Sequence, residues 1–262
     1  MTTRRRILRS GGFLLASSFL MLVVATPTLF LARRFYSELI ARWMGRTILR
    51  IWGINYATHY SEPLPDRQTI YISNHTSTLD VFLLISLGLP RARFFLSGSL
   101  RKFPPVLIVG YVTRMFWTVP QEFQEQRRQI FRRADRILRR TGDSVYLSPE
   151  GKCVTTGKIG SFNKGSFHLA TSLKAPIVPM YVHIPAQVQG WRGYRAQPGT
   201  VQVYFLPAID TSSWRLEDLE ANRDRVRGLY LRVHDAIGAD GRLPKDLGIE
   251  PLQSERVMRA AL

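Results

Sequence analysis

The chain is short of acid and almost without cysteine. Its 262 residues hold 19 Asp and Glu against 37 Lys and Arg, a formal net charge of +18. That imbalance points to anionic partners: phospholipid surfaces, nucleic acid, or phosphorylated substrates and carriers. The single cysteine, Cys153, excludes an internal disulfide and a paired-cysteine metal site, and leaves the redox compartment open. A lone cysteine can act as a nucleophile, but no activated Cys/His arrangement lies near it in sequence. Also missing are a Gly-x-x-x-x-Gly-Lys phosphate loop and a Gly-x-Ser-x-Gly elbow, which removes the motif support for P-loop nucleotide binding and for an α/β-hydrolase serine. No internal repeat and no long low-complexity linker divides the chain.

Apolar residues are plentiful, at 45%, enough for one sizeable domain with a proper core. The clearest feature lies at the start, "MTTRRRILRSGGFLLASSFLMLVVATPTLFLARRF". Arg4, Arg5, Arg6 and Arg9 precede an uncharged stretch from Ser10 to Ala32, closed by Arg33 and Arg34. About twenty apolar residues cross a bilayer as a helix. Three readings compete: a secretory signal peptide, a spanning helix, and a re-entrant hairpin kinked at Pro27. The arginines that follow immediately disfavour the first. In "RRFYSELIARWMGRTILRIWGI", Tyr36, Leu39, Ile40, Trp43, Met44, Thr47, Ile48 and Ile51 recur at helical spacing with Arg42, Arg46 and Arg50 between them. This predicts a basic amphipathic helix, lying in a membrane interface or packed on the domain. Residues 1–52 are therefore read as membrane anchor and interfacial helix, 53–237 as the folded domain and 238–262 as a poorly packed extension.

Beyond Gly53 strands and helices alternate. "TIYISNH" reads as a strand, and "TLDVFLLISLGL" as a helix capped by Thr78 with Leu79, Phe82, Leu83 and Leu87 on one face. "RARFFLSGSL" follows as a strand and turn, then a short helix and a strand around Met115 to Val119. "EFQEQRRQIFRRADRILRRTG" is a long amphipathic helix ended by Gly142, with Phe123, Ile130, Ala134, Ile137 and Leu138 on its apolar side. "SVYLSPEG", "PIVPMYVH" and "TVQVYFLPAI" are strands. "GSFHLATSL" and "LEDLEANRDRVRGLYLRVHDAIG" are helices. The fold class is α/β: a mixed, largely parallel sheet flanked by helices, behind an N-terminal membrane-anchoring helical segment.

Two polar clusters sit where strands run out, the usual place for a ligand in such sheets. In "ISNHTSTLDVF", His75 and Asp80 flank a strand-to-helix junction. A carboxylate in reach of an imidazole fixes its tautomer and raises its basicity, leaving the other nitrogen free to take a proton. The plain alternative is a loop histidine beside a helix-start charge favoured by the macrodipole. In "LSPEGKCVTTGKIGSFNKGSF", Glu150 and Gly151 are followed by Lys152, Lys158 and Lys164, with Gly157, Gly160 and Gly165 interspersed. Glycine-rich basic loops let backbone N–H groups approach an anion; the alternative is a flexible solvated loop.

Taken in order, "NHTSTLD", "SPEG", "SFNKGSF" and "APIVPM" resemble the glycerolipid acyltransferase family, which includes the 1-acyl-glycerol-3-phosphate acyltransferases. The resemblance covers roughly residues 55 to 210. It implies that His75 is the general base and Asp80 its partner. Glu150 and Gly151 match the acceptor loop, Lys164 and Gly165 a Lys-Gly element, and Pro176 and Pro179 a proline strand. The implied reaction moves a fatty acyl chain from acyl-CoA or acyl-carrier protein to a lipid hydroxyl, without metal, cofactor or acyl-enzyme. The implied place is a membrane, with the active domain on its cytoplasmic face. Two departures stand out. Lys152-Cys153 replaces the family's Thr-Arg, and "MFWTVPQ" lacks the arginine of a Phe-x-x-Arg pattern. Both family arginines are expected on the acceptor phosphate, and lysine lacks their bidentate fork. Lys152, Lys158 or Arg114 then stands in, or the acceptor carries another head group, as in a lyso-ornithine-type lipid.

Two readings from other classes remain. A catalytically silent, membrane-anchored binder of anionic lipid would keep the fold, but lipid binding alone does not require the His75–Asp80 pair. A nucleic-acid binder is suggested by "RRQIFRRADRILRR", yet that helix is amphipathic and no recognition motif accompanies it, so no nucleic acid is expected.

Overall fold

The computed structural model describes residues 2–77, 80–154, 156–186, 188, 196–237 and 242–243. The predicted cap Thr78 and face residue Leu79 lie outside them, as does the extension from Gly238 onward apart from Arg242 and Leu243. Among the described residues seven strands form one sheet: β1 Ile54–Tyr60, β2 Ile70–Ser73, β3 Ala92–Ser97, β4 Phe116–Thr118, β5 Ser144–Leu147, β6 Ile177–His183 and β7 Gly199–Phe205. Their order is β1-β7-β6-β2-β5-β3-β4. All neighbours run parallel except β6 and β7, so the sheet is mixed and largely parallel, as the alternating pattern predicts. Strand β1 escapes the sequence reading. It is an edge strand in which Asn55, Thr58 and His59 interrupt the apolar residues, and an edge strand needs no continuous apolar run.

Side chains alternate across the sheet and build two cores. Tyr71, Tyr146 and Val178 face one side; Ile70, Ile72, Val145, Leu147 and Ile177 face the other. The first side is covered by α1 Thr3–Ala25, α2 Arg33–Phe35, α3 Arg42–Trp52, α4 Asp80–Leu87 and α5 Pro104–Val112. The second is covered by α6 Gln124–Thr141, α7 Gly165–Leu173 and α8 Leu219–Ala236. Gly142 ends α6 as predicted, in the left-handed region at φ +64°. Helix α8, for which the sequence offers no role, packs Val226, Tyr230 and Val233 onto the sheet.

A π-helical turn, Tyr36–Ala41, joins α2 to α3 and corrects the predicted face. Its wider turn advances the inward side by one residue. The buried positions become Tyr36, Ala41, Met44, Gly45, Ile48, Leu49 and Trp52, while Leu39 and Trp43 point outward. Burial of Ile48 and Leu49 contributes about 1.5–3 kcal/mol each. Gly45 sets the spacing of α3 on α4, since a Cβ there would stand 2.8 Å from the Phe82 carbonyl oxygen.

Helix α1, 23 residues long, is apolar and long enough to cross a bilayer by length and composition. Most of its apolar side chains are exposed, Leu15, Phe19, Leu20 and Val23 among them. They continue into two exposed apolar rows at i, i+4 spacing: Phe35, Leu39 and Trp43, and Phe103, Leu107 and Tyr111. On its inner side α1 is tied down: the Trp52 indole donates to Ser10 Oγ at 3.0 Å, and Met21 and Ala25 are buried with the sheet residues Met180 and Val203 in one cluster. Where the chain leaves α1, Arg33 reaches the buried Asp143 just before β5. Arg93 completes the group through Nε and Nη2, 2.9 and 2.7 Å from the other Asp143 oxygen.

Candidate active site

Strands β2, β3, β4 and β5 run parallel, so their last residues share one edge of the sheet, and the His75 loop leaves from it. Asn74 turns the chain off β2. Its side-chain amide pairs with the Val182 backbone, donating to the carbonyl at 2.9 Å and accepting from the N–H at 2.8 Å. The ladder to β6 is thus continued by a side chain, and His75 is lifted clear of it. Asp80 opens α4, where a carboxylate is favoured by the helix N-terminus. Its Oδ2 accepts from His75 Nδ1 at 2.8 Å, from the Thr76 N–H at 2.9 Å and from the Ser77 N–H at 3.0 Å. The carboxylate is 1% exposed. Three donors on one buried oxygen fix the imidazole orientation and put the proton on Nδ1. Nε2 has no partner among the described residues.

The second cluster meets the first. Beyond β5, Glu150 is buried and both its oxygens are taken by backbone: the His75 N–H at 2.7 Å and the Gly160 N–H at 2.8 Å. Val154 N–H donates to the His75 carbonyl at 2.7 Å, so the loop after β5 holds His75 on both sides. Gly151 has φ +66°, and a Cβ there would lie 2.7 Å from Asn163 Nδ2. Asn163 and Gln121 both donate to the Glu150 carbonyl, at 2.9 and 3.3 Å. Two further supports come from the distant helix α8. Tyr230 donates its hydroxyl to the Ile72 carbonyl at 2.9 Å, and Arg227 Nε donates to the Gly160 carbonyl at 2.8 Å.

Burial acts most strongly on His75 and disfavours its charge. The Asp80 hydrogen bond, the Asp80 charge and the Glu150 charge together outweigh burial, so the imidazole titrates above the ordinary histidine range. Burial also raises Glu150, against the pull of its two backbone donors. Burial, then the charges of Asp80 and Glu150, push the Cys153 thiol up to about 11. Its thiolate is therefore scarce at neutral pH, which removes Cys153 as a nucleophile.

The remaining sequence candidates divide. Lys152 and Lys158 are exposed on the loop that holds His75, with no ion pair among the described residues. Lys164 is drawn to Glu220 of α8 in an exposed ion pair. Glu150, read from sequence as part of an acceptor loop, instead spends both oxygens joining two loops. Arg114 stands apart. It precedes β4, at the edge of the parallel strands opposite His75, in a left-handed conformation with φ +54° and its guanidinium 3.4 Å from the Phe30 carbonyl. β4 lies three strands from β2 in the sheet, and no hydrogen bond or ion pair among the described residues joins Arg114 to His75, Asp80 or Glu150. The sequence reading misses Asn74, Gln121, Asn163, Arg227 and Tyr230. Only the Asn-His and Phe-Asn-Lys-Gly motifs carry any local signal for the two asparagines.

An apolar cavity of about 470 Å³ opens beside this edge. Ser77, two residues after His75, lines it together with Val81 and Phe82 of α4. Its walls run on between Met44 and Ile48 of α3, Ser10, Gly11 and Leu14 of α1, and Val106 and Val109 of α5. The arrangement combines a base oriented by a buried acid with an apolar space for a long chain.

A profile of the family described as Acyltransferase matches residues 55–183. The chain is 31% identical over 150 residues to the chloroplastic 1-acyl-sn-glycerol-3-phosphate acyltransferase of Arabidopsis thaliana, a match covering 56% of this chain and 41% of that one. The chain thus spans about two-fifths of the length of this plant relative. It is 26% identical over 172 residues to the 1-acyl-sn-glycerol-3-phosphate acyltransferase of Pseudomonas aeruginosa, covering 64% and 63%. The crystal structure of the 1-acyl-sn-glycerophosphate acyltransferase of Thermotoga maritima shares the fold, with a TM-score of 0.60 and 21% identity over 88% of this chain and 98% of that one.

Proposed function

Because the chain belongs to the glycerolipid acyltransferase family, we propose that it is a membrane-bound O-acyltransferase acting on a lysophospholipid. The acyl chain comes from a thioester, acyl-CoA or acyl-carrier protein. The acceptor is 1-acyl-glycerol-3-phosphate, the substrate in the names of the relatives, and the product is phosphatidate. The observation that carries this reading is the His75 Nδ1–Asp80 hydrogen bond of 2.8 Å beside the apolar cavity.

The chemistry follows from the geometry. The acceptor hydroxyl gives its proton to His75 Nε2 as its oxygen attacks the thioester carbonyl. Asp80 stabilises the imidazolium formed in that step. The tetrahedral intermediate collapses, the C–S bond breaks, and the thiolate takes the proton back from His75. The ester and a free thiol leave, and the base is regenerated with no covalent enzyme intermediate. The cavity between α1, α3, α4 and α5 takes an acyl chain. The exposed apolar residues of α1, with the rows Phe35, Leu39, Trp43 and Phe103, Leu107, Tyr111, rest in the bilayer where both lipids partition. Lys152 and Lys158 supply positive charge for the acceptor phosphate. A different acceptor head group is the second reading, favoured by the lysines that replace the expected arginine.

His75→Ala tests this directly. Transfer from labelled palmitoyl-CoA to lysophosphatidate should fall by about 10³-fold or more, well beyond loss of general-base assistance at its weakest, while vesicle binding stays at the parent level. Transfer at the parent rate would refute the assignment of the base. Parallel assays with lysophosphatidylcholine and a lyso-ornithine lipid decide the head group.

A further inference from the structure

Helix α6 carries a second, unexplained charge feature. Arg128, Arg132, Arg133, Arg136, Arg139 and Arg140 are all exposed. At 100° per residue they fall within an arc of about 140°. Ala134 and Leu138 fill the buried side. Glu125 pairs with Arg128 at 3.5 Å and Asp135 with Arg139 at 3.6 Å. Arg132, Arg133, Arg136 and Arg140 have no ion pair among the described residues. Arg128, Arg132, Arg136 and Arg140 stand at successive i, i+4 positions, where like charges repel. On α8, Arg223 pairs with Asp224 at 2.8 Å and Arg227 is held by the Gly160 carbonyl, while Arg225 and Arg232 have no ion pair among the described residues.

Direction selects the partner. The apolar rows of α1, of Phe35 to Trp43 and of Phe103 to Tyr111 belong to the helix layer on one face of the sheet, and α6 lies in the layer on the other. A flat bilayer touching α1 and α5 cannot reach the arginine arc at the same time. The arc therefore faces a soluble polyanion. It also starts at the reacting edge, since α6 follows the end of β4 and Gln121, just before it, donates to the Glu150 carbonyl. We propose that the α6 arc docks an acidic acyl-carrier protein, which delivers its thioester to His75 from the side away from the membrane. The proposal rests on the acyltransferase reading. Nucleic acid would meet the same charge, but the exposed arc holds no aromatic side chain for stacking.

The test uses the full chain in phosphatidylcholine vesicles with two donors, palmitoyl-acyl-carrier protein and palmitoyl-CoA. The variant combines Arg132→Glu, Arg136→Glu and Arg140→Glu. Its KM for the carrier donor should rise at least about tenfold, as expected when complementary charge is reversed. Its kcat/KM for palmitoyl-CoA should stay within about twofold, and the parent's carrier reaction should weaken with added salt. An equal fall with both donors, or no change with either, overturns the proposal. So does a parent that uses only palmitoyl-CoA. Loss of binding to anionic vesicles or to a DNA oligomer, with the carrier reaction intact, overturns it in favour of those partners. A parent that transfers from neither donor overturns the acyltransferase reading as well.

Discussion

Asp80→Asn is the most informative single change at the site. Asp80 Oδ2 accepts from His75 Nδ1, the Thr76 N–H and the Ser77 N–H, and the amide oxygen of Asn can still serve those donors. The loop is kept while the charge is lost. A hydrogen bond to a charged group is worth about 1.5–3 kcal/mol against about 0.5–1.5 for a neutral one. The difference is about 1–1.5 kcal/mol in favour of the charged pair. His75 is raised in the parent, and without the carboxylate charge the variant imidazole titrates lower. The base must be neutral to accept a proton, so the acid limb of the kcat profile should move to lower pH. The rate itself should fall by about 10²–10⁴, because the imidazolium loses the carboxylate that stabilises it and the tautomer is no longer enforced. A fall in rate together with an acid limb displaced to lower pH separates this mechanism from partial unfolding, which lowers the rate and leaves the limb in place. Stability carries the matching sign. A raised folded-state pKa contributes stability below the ordinary histidine value of about 6.5 and loses it as pH rises through the raised value. The gap between parent and variant in urea melts should therefore be widest at acid pH and narrow above it. A variant with an unmoved acid limb and full kcat would refute the role given to Asp80.

Two further outcomes are expected elsewhere. Gly11 lines the cavity, and a Cβ there meets nothing within 4 Å, so Gly11→Leu extends a side chain into the acyl space without disturbing α1. One methylene in an apolar pocket is worth about 10–200-fold; the ratio of kcat/KM for palmitoyl over lauroyl donors should fall by about tenfold or more, and an unchanged ratio would move the chain out of this cavity. Asp143→Ala leaves Arg33 and Arg93 buried without their carboxylate. Removing one partner of a buried ionic group costs about 3–5 kcal/mol, to be read as a lower denaturant midpoint, and a midpoint unchanged from the parent would show the group to be solvated.

Much of the candidate site's geometry was legible because its signals are local. His75 and Asp80 are five residues apart, joined by a strand end and a helix start that sequence periodicity marks. The Glu150 loop follows another strand for the same reason. What the sequence does not carry concerns distance and direction. Arg114 precedes its strand and so falls at the opposite edge. Lys164 is captured by Glu220, 56 residues away, and no pattern near either residue announces the pair. Leu39 and Trp43 face outward because one π-helical turn shifts the helix register, and 3.6-residue periodicity does not foresee it.

The sequence by itself determined the alternation of strands and helices, the apolar N-terminal helix, the excess of positive charge and the pairing of an imidazole with an acid. These are set by residue type and short spacing. Tertiary structure alone decided that Glu150 joins the two loops, that Tyr230 and Arg227 of the last helix support them, and that an apolar cavity forms between α1 and α4. It also decided that the exposed apolar rows of α1 and α5 and the arginine arc of α6 lie on opposite layers of the sheet. Each of these depends on groups far apart in the chain, brought together by burial on two faces of one sheet, which no local pattern encodes.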